Sequence, residues 1–197
     1  MYELIRRLLC PFEDLAKFLP SEGKILDVGC GHGIFARVLA KNHPERKILG
    51  IDPSGAKIKT AEKLAKNYKN VGFKRAYLKE INQKFDAITI IDVLYLLPQD
   101  ERLKLLKKAK SLLAKDGLLL VKTDSKDPRW LFNILRFEEY LMVKILRFTH
   151  SDFGKIYHLG INEYKKLLTG AGFKIVKFKV ITSFFPYRHP TYVAKVN

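Results

Sequence analysis

Ile25-Leu26-Asp27-Val28-Gly29-Cys30-Gly31-His32-Gly33-Ile34 runs from an apolar, strand-like segment into a turn with glycine at alternate positions. A helical pattern follows from Phe35 to Ala40. Glycine lets the backbone turn tightly and leaves space where a side chain would block a ligand. A second strand-like run, Lys47-Ile48-Leu49-Gly50-Ile51, ends in Asp52, 19 residues beyond Gly33. On the neighbouring parallel strand, that carboxylate stands where two ribose hydroxyls can donate to it. The spacing predicts a site for a nucleoside-containing cofactor.

The surrounding pattern repeats strand and helix. Apolar periodicity predicts a helix over about residues 1–20, broken at Pro11, then a turn at Pro20-Ser21-Glu22-Gly23. Strands are expected at 24–28, 47–51, 71–76, 85–91 and 118–123, with helices at 34–41, 55–66 and 101–113. Ser54 caps the second of these helices, and Lys115-Asp116-Gly117 turns into the fifth strand. A helix at 162–171 and two strands at 174–183 and 191–195 follow. Such alternation implies a parallel sheet covered by helices on both faces. The expected organisation is a single domain over 1–197, with a helical, lid-like insertion at about 124–160.

Composition narrows the partners. No stretch of about twenty residues is uninterruptedly apolar, which argues against a spanning helix. Cys10 and Cys30 are too few for a disulfide framework or a metal cluster, so no metal site is expected and a reducing cytoplasm is the simplest compartment. The chain has 37 Lys and Arg against 20 Asp and Glu, a net charge of +17, which raises anionic partners: RNA, acidic lipid or an anionic small molecule. Many of these charges, among them Arg102, Lys104, Lys107, Lys108, Lys110 and Lys115, read as a solvated helix face. The stretch from Phe173 onward has five Lys and Arg and no acid. The insertion mixes aromatic and aliphatic residues with Arg129, Arg136, Lys144 and Arg147, too apolar for one exposed helix face. Ordinary core packing is the first reading for most of these side chains; covering the cofactor cleft, forming a dimer and meeting lipid are the others. Monomer and homodimer both stay open.

Ile34 stands where a dinucleotide-binding fingerprint needs a third glycine. An NAD-type cofactor is therefore the alternative, not the first reading. With Asp27 two before the first glycine and GxGxG after it, the loop resembles motif I of class I S-adenosylmethionine-dependent methyltransferases. That resemblance implies an α/β, Rossmann-like, doubly wound seven-stranded sheet, mostly parallel with a C-terminal antiparallel hairpin, and helices on both faces. It implies S-adenosyl-L-methionine as cofactor, with S-adenosyl-L-homocysteine as product. The Gly29–Gly33 loop would lie against the methionine part and Asp52 would hold the ribose. Asp27, Cys30, Gly31, Pro53, Tyr77, Leu78 and Asp92 complete the implied cofactor contacts. Relatives usually place an acid after the third strand, where this chain has Tyr77.

The segment Ile91-Asp92-Val93-Leu94-Tyr95-Leu96-Leu97-Pro98 is similar to motif IV of small-molecule and lipid-directed members. The similarity implies a catalytic Asp92 near the sulfonium and Tyr95 toward the acceptor, in a catalytic and substrate-contacting role. A helix N-cap is the other reading of Asp92. His158 is a candidate general base near neutral pH, with a structural role as its alternative. Trp130, Arg136 and Tyr157 join Tyr95 as candidate substrate contacts. The Asn/Asp-Pro-Pro-Tyr/Phe tetrapeptide of many nucleic-acid and protein amide methylating relatives is absent. The expected activity is methyl transfer to a small or lipid-like acceptor, at the cytoplasmic face of a membrane or free of it. An RNA methyltransferase and a non-enzymatic binding module are the alternatives.

Overall fold

In the computed structural model, which describes residues 2–41, 43–127, 157–183 and 188–197, seven strands share one sheet. They are β1 (Gly23–Val28), β2 (Arg46–Asp52), β3 (Val71–Arg75), β4 (Phe85–Ile91), β5 (Leu113–Lys122), β6 (Phe173–Thr182) and β7 (Arg188–Val196). Their order is β3-β2-β1-β4-β5-β7-β6. The first five pair in parallel, and β7 is antiparallel to both β5 and β6, as the expected terminal hairpin requires.

β4 shows why the central strands read as apolar runs. Ile88 and Ile90 join one core layer, while Ala87 and Ile91 join the layer on the opposite face. Side chains alternate along a strand, so a strand buried on both faces is apolar at nearly every position, and the buried polar Thr89 is hydrogen-bonded to Asp27. Each such Ile contributes about 1.5–3 kcal/mol by leaving water. Helices α5 (Gln99–Leu112) and α6 (Ile161–Gly170) close the first layer through Leu106, Ala109, Leu112, Tyr164 and Leu168. On the second lie α2 (Phe12–Ala16) and α3 (Ile34–Lys41). α4 (Gly55–Leu64) starts where Ser54 Oγ accepts the Lys57 N–H, as the sequence predicts.

Three local features differ from the expectation, and a fourth, Arg46, is one the sequence does not announce. The Lys115-Asp116-Gly117 turn lies inside β5, with Asp116 at φ 63° and a register shift against Phe85 and Ala87. An irregularity of this kind absorbs the turn residues without ending the strand. Arg102 is not on a solvated face but is 2% exposed, on the stripe of α5 that also carries Leu106 and Ala109. Arg46 is 1% exposed and donates to the carbonyls of Pro20, Leu39, Leu19 and Ala16, joining the chain after α2 to α3. Finally, Pro11 divides the N-terminal helix into α1 (Tyr2–Leu9) and α2 as expected, but α1 is turned polar face inward. Leu4, Ile5 and Leu8 are exposed, whereas Glu3 pairs with Arg37 at 2.5 Å and Arg6 with Asp92 at 3.2 Å. Among the described residues no helix is long and apolar enough to cross a membrane.

Candidate functional site

The glycine loop hangs from the end of β2. Gly29 and Cys30 donate their N–H groups to the Ile51 carbonyl at 2.8 and 3.0 Å. Gly31 N–H donates to Asp52 Oδ2 at 3.1 Å, and Ser54 N–H to Asp52 Oδ1 at 2.9 Å. Loop and carboxylate therefore form one hydrogen-bonded unit, and each Asp52 oxygen keeps further acceptor capacity for hydroxyls. Pro53, next in the chain, has its carbonyl bonded by Arg75 Nε at 3.2 Å. On the other side of the loop, Arg37 donates to the His32 carbonyl at 2.9 Å.

The three loop glycines are needed for different reasons. A Cβ on Gly29 would stand 2.4 Å from Val93 Cγ2, and one on Gly33 would stand 2.5 Å from Phe73 Cζ. Those positions are closed by the protein's own packing. A Cβ on Gly31 would meet nothing within 4 Å, at a backbone φ of 55°. Gly31 thus faces open space beside the Asp52 carboxylate, a cradle that a side chain would fill.

Asp27 lies below that loop and is 2% exposed. Its Oδ1 accepts from Thr89 Oγ1 at 2.8 Å, while its Oδ2 has no hydrogen-bond partner among the described residues. Burial pushes its pKa up to about 7, against the Thr89 bond and with help from the Asp52 charge. Such an orphaned acceptor suits a donor brought by a ligand, an ammonium above all. Cys30 is partly buried, and burial raises its thiol pKa. Tyr77 is 53% exposed at the end of β3, where its N–H donates to Glu80. Leu78 turns its side chain into the core, which leaves only its backbone to face a ligand.

At the carboxyl end of β4 the expected residues separate into two groups. Asp92, at φ 57°, turns its carboxylate to Lys122 Nζ at 2.6 Å and to Arg6. His189 and Cys10 share that environment; burial lowers the His189 pKa to about 3 and raises that of Cys10 to about 11. Tyr95 belongs to the second group. Its ring stacks on His158, with centroids 5.7 Å apart, and its carbonyl accepts the Tyr157 N–H at 2.7 Å. His158 Nδ1 lies 2.8 Å from Asp124 Oδ2. Sequence reasoning missed Asp124, Lys122 and Arg6. No local pattern marks the first two, since each matters through a partner on a distant segment. Trp130 and Arg136 lie outside the described residues. No group of three His, Cys, Asp or Glu among the described residues is arranged to hold a metal ion.

Sheet order, glycine loop and Asp52 define an α/β domain with an open cradle beside the carboxyl ends of β1 and β2. Residues 2–177 match the profile of the methyltransferase-domain family, and the chain belongs to that family. It is 27% identical over 137 residues to the ubiquinone biosynthesis O-methyltransferase of Actinobacillus pleuropneumoniae serotype 5b, covering 65% of this chain and 57% of the relative. It is 28% identical over 116 residues to the tRNA (guanine-N(7)-)-methyltransferase of Christiangramia forsetii, covering 52% of this chain and 51% of the relative. The chain thus spans about half the length of the curated relatives it matches. Magnesium protoporphyrin IX methyltransferase of Synechocystis PCC 6803, solved with bound SAH, superposes with a TM-score of 0.73 at 21% identity, over 93% of this chain and 81% of that one. The fold is the Rossmann-like methyltransferase fold.

Proposed function

We propose that this chain is an S-adenosylmethionine-dependent methyltransferase acting on a hydroxyl of a small or lipid-like acceptor. The observation that carries the cofactor is the open space at Gly31 beside Asp52. Asp52 accepts the ribose hydroxyls, the Gly29–Gly33 loop lies along the amino-acid part, and Asp27 Oδ2 accepts from its ammonium. Pro53, Cys30 and the backbone of Tyr77 and Leu78 border the same cleft. When bound, the cofactor supplies a methyl group on a positively charged sulfur, an already activated leaving group. The protein's task is then alignment and proton removal.

His158 is the general base in this reading. With Nδ1 2.8 Å from Asp124, Nε2 serves as the basic atom, and the Tyr95 ring stacks on the imidazole. A hydroxyl acceptor needs such a base more than an amine does, and the O-methyltransferase named among the relatives supports oxygen as the acceptor atom. Tyr157 borders the acceptor. Asp92 acts through Arg6 and Lys122, as the electrostatic anchor of the acceptor end. The exposed Leu4, Ile5 and Leu8 on a chain of net charge +17 support peripheral contact with an anionic lipid surface.

Calorimetry tests the cofactor and product analysis tests the reaction. S-adenosylhomocysteine binds at micromolar concentration, and Asp52→Ala weakens it by about 1.5–3 kcal/mol through lost ribose bonds. A panel of phenols and lipid-like hydroxyl compounds yields S-adenosylhomocysteine with at least one member, and His158→Gln suppresses that yield. Absence of cofactor binding, or binding indifferent to Asp52→Ala, refutes the cofactor assignment.

A second reading, RNA methylation, draws on the exposed Lys174, Lys177 and Lys179 of the edge strand β6 and on the tRNA-directed relative. It requires RNA binding that falls steeply with salt, as release of counterions from several phosphates demands.

A further inference from the structure

Arg102 is an arginine buried to 2% exposure in the first turns of α5, and its guanidinium does not serve its own helix. Nε donates to the Leu94 carbonyl at 2.7 Å, and Nη2 donates to the Tyr157 carbonyl. The guanidinium carbon also stands 5.8 Å from the centre of the Tyr157 ring. Leu94 directly precedes Tyr95, and Tyr157 directly precedes His158. The Tyr157 N–H closes the circuit by donating to the Tyr95 carbonyl.

We propose that Arg102 is a positioning residue for the acceptor site: it sets the Tyr95–His158 ring pair by clamping the carbonyls that precede both rings. The proposal rests on the reading of His158 as general base. Burying a guanidinium is costly unless its donors are satisfied, and here two are used on two segments far apart in the chain. The planar fork holds two acceptors in a fixed mutual geometry, which a lysine ammonium cannot do. Burial lowers the pKa of Arg102, while Asp124, Glu163 and the two tyrosines nearby favour its charged form. Without the fork, the Leu94 and Tyr157 carbonyls lose the donor they share, and the two segments that carry the rings lose their side-chain link.

The ring stack supplies the test, because an aromatic face shields the protons of a ring lying on it. The chain has five histidines, so nuclear magnetic resonance of carbon-13 histidine-labelled protein, without cofactor, resolves them, and His158→Gln assigns the relevant signal. In Arg102→Ala the His158 Hε1 signal moves to the position it takes in Tyr95→Leu, while the other four hold. Arg102→Lys, which keeps the charge but not the fork, moves it in the same direction and serves if the alanine variant does not fold. A His158 signal unmoved in a folded Arg102 variant overturns the proposal. Failure of the methyltransferase reading would appear as absent cofactor binding or turnover, neither of which enters this measurement.

Discussion

Lys122 Nζ lies 2.6 Å from Asp92 Oδ1, with the two side chains 4% and 9% exposed at the carboxyl ends of β5 and β4. Burial alone would raise the Asp92 pKa. The charges of Lys122 and Arg6 and the Lys122 bond outweigh it, holding the group at about 2. Breaking a buried pair costs about 3–5 kcal/mol when the remaining charge is left alone, and because Arg6 still faces Asp92, Lys122→Met is expected to cost less than that. Adding Asp92→Asn to Lys122→Met should recover part of that loss, as urea unfolding of both variants will measure. Asp92's own contribution is present above the unfolded-state value near 4 and is lost as pH falls toward about 2.

Gly31 and Gly33 should separate binding from stability. Gly33→Ala drives a Cβ into Phe73 and is expected to destabilise the protein by about 1–3 kcal/mol, whatever ligand is present. Gly31→Ala meets open space, so its cost is the strain of positive φ, on the order of 1 kcal/mol. Its main effect is the loss of S-adenosylhomocysteine binding. Thermal melts alongside calorimetry of both variants check the contrast.

Asp27 and His189 make stability depend on pH with opposite sign. Between about pH 4 and 7 the unfolded chain releases the Asp27 proton while the folded chain keeps it, so this group lowers stability as pH rises. Between about pH 6.5 and 3 the unfolded chain protonates His189 while the folded chain holds it neutral, so this group lowers stability as pH falls. Relative to the parent, Asp27→Asn should therefore gain stability as pH rises through its window. His189→Gln should gain as pH falls through the other. Unfolding curves at several pH values decide both signs.

A ligand ammonium against Asp27 favours its ionised form. Binding of S-adenosylhomocysteine near pH 7 is then expected to release a proton, and Asp27→Asn to abolish the release. Calorimetry in buffers of different ionisation enthalpy reads that proton directly.

α1 is held by charge and not by apolar burial. Its anchors are Glu3 on Arg37, Arg6 on Asp92 and the Ser183 hydroxyl on the Leu9 carbonyl. An eight-residue helix is too short to persist alone. Glu3→Gln, or an increase to about 1 M salt, should speed amide hydrogen exchange over residues 3–9 several-fold and leave β1 and β4 protected.

Much of this molecule is local in origin and therefore legible in its sequence. The run 85–91 is apolar at every position but the exposed Asp86 and the hydrogen-bonded Thr89, because alternating side chains meet a core on each face. The glycine turn, Asp52 and the Ser54 cap follow from backbone geometry within a few residues. Even Arg102 left a trace, since it stands four and seven residues before Leu106 and Ala109 on one helical stripe. Its charge hid the trace, because a cation on a helix is ordinarily solvated.

What only the tertiary structure decided is where charges find their partners. Arg102 is buried because carbonyls from residues 94 and 157 converge on it, and Asp92 because β5 brings Lys122 and α1 brings Arg6. Asp124 gains its meaning from His158 in the same way. Apolar periodicity is set along the chain, residue by residue. The burial of a charge depends on groups that arrive from elsewhere in the fold, and no single segment encodes them.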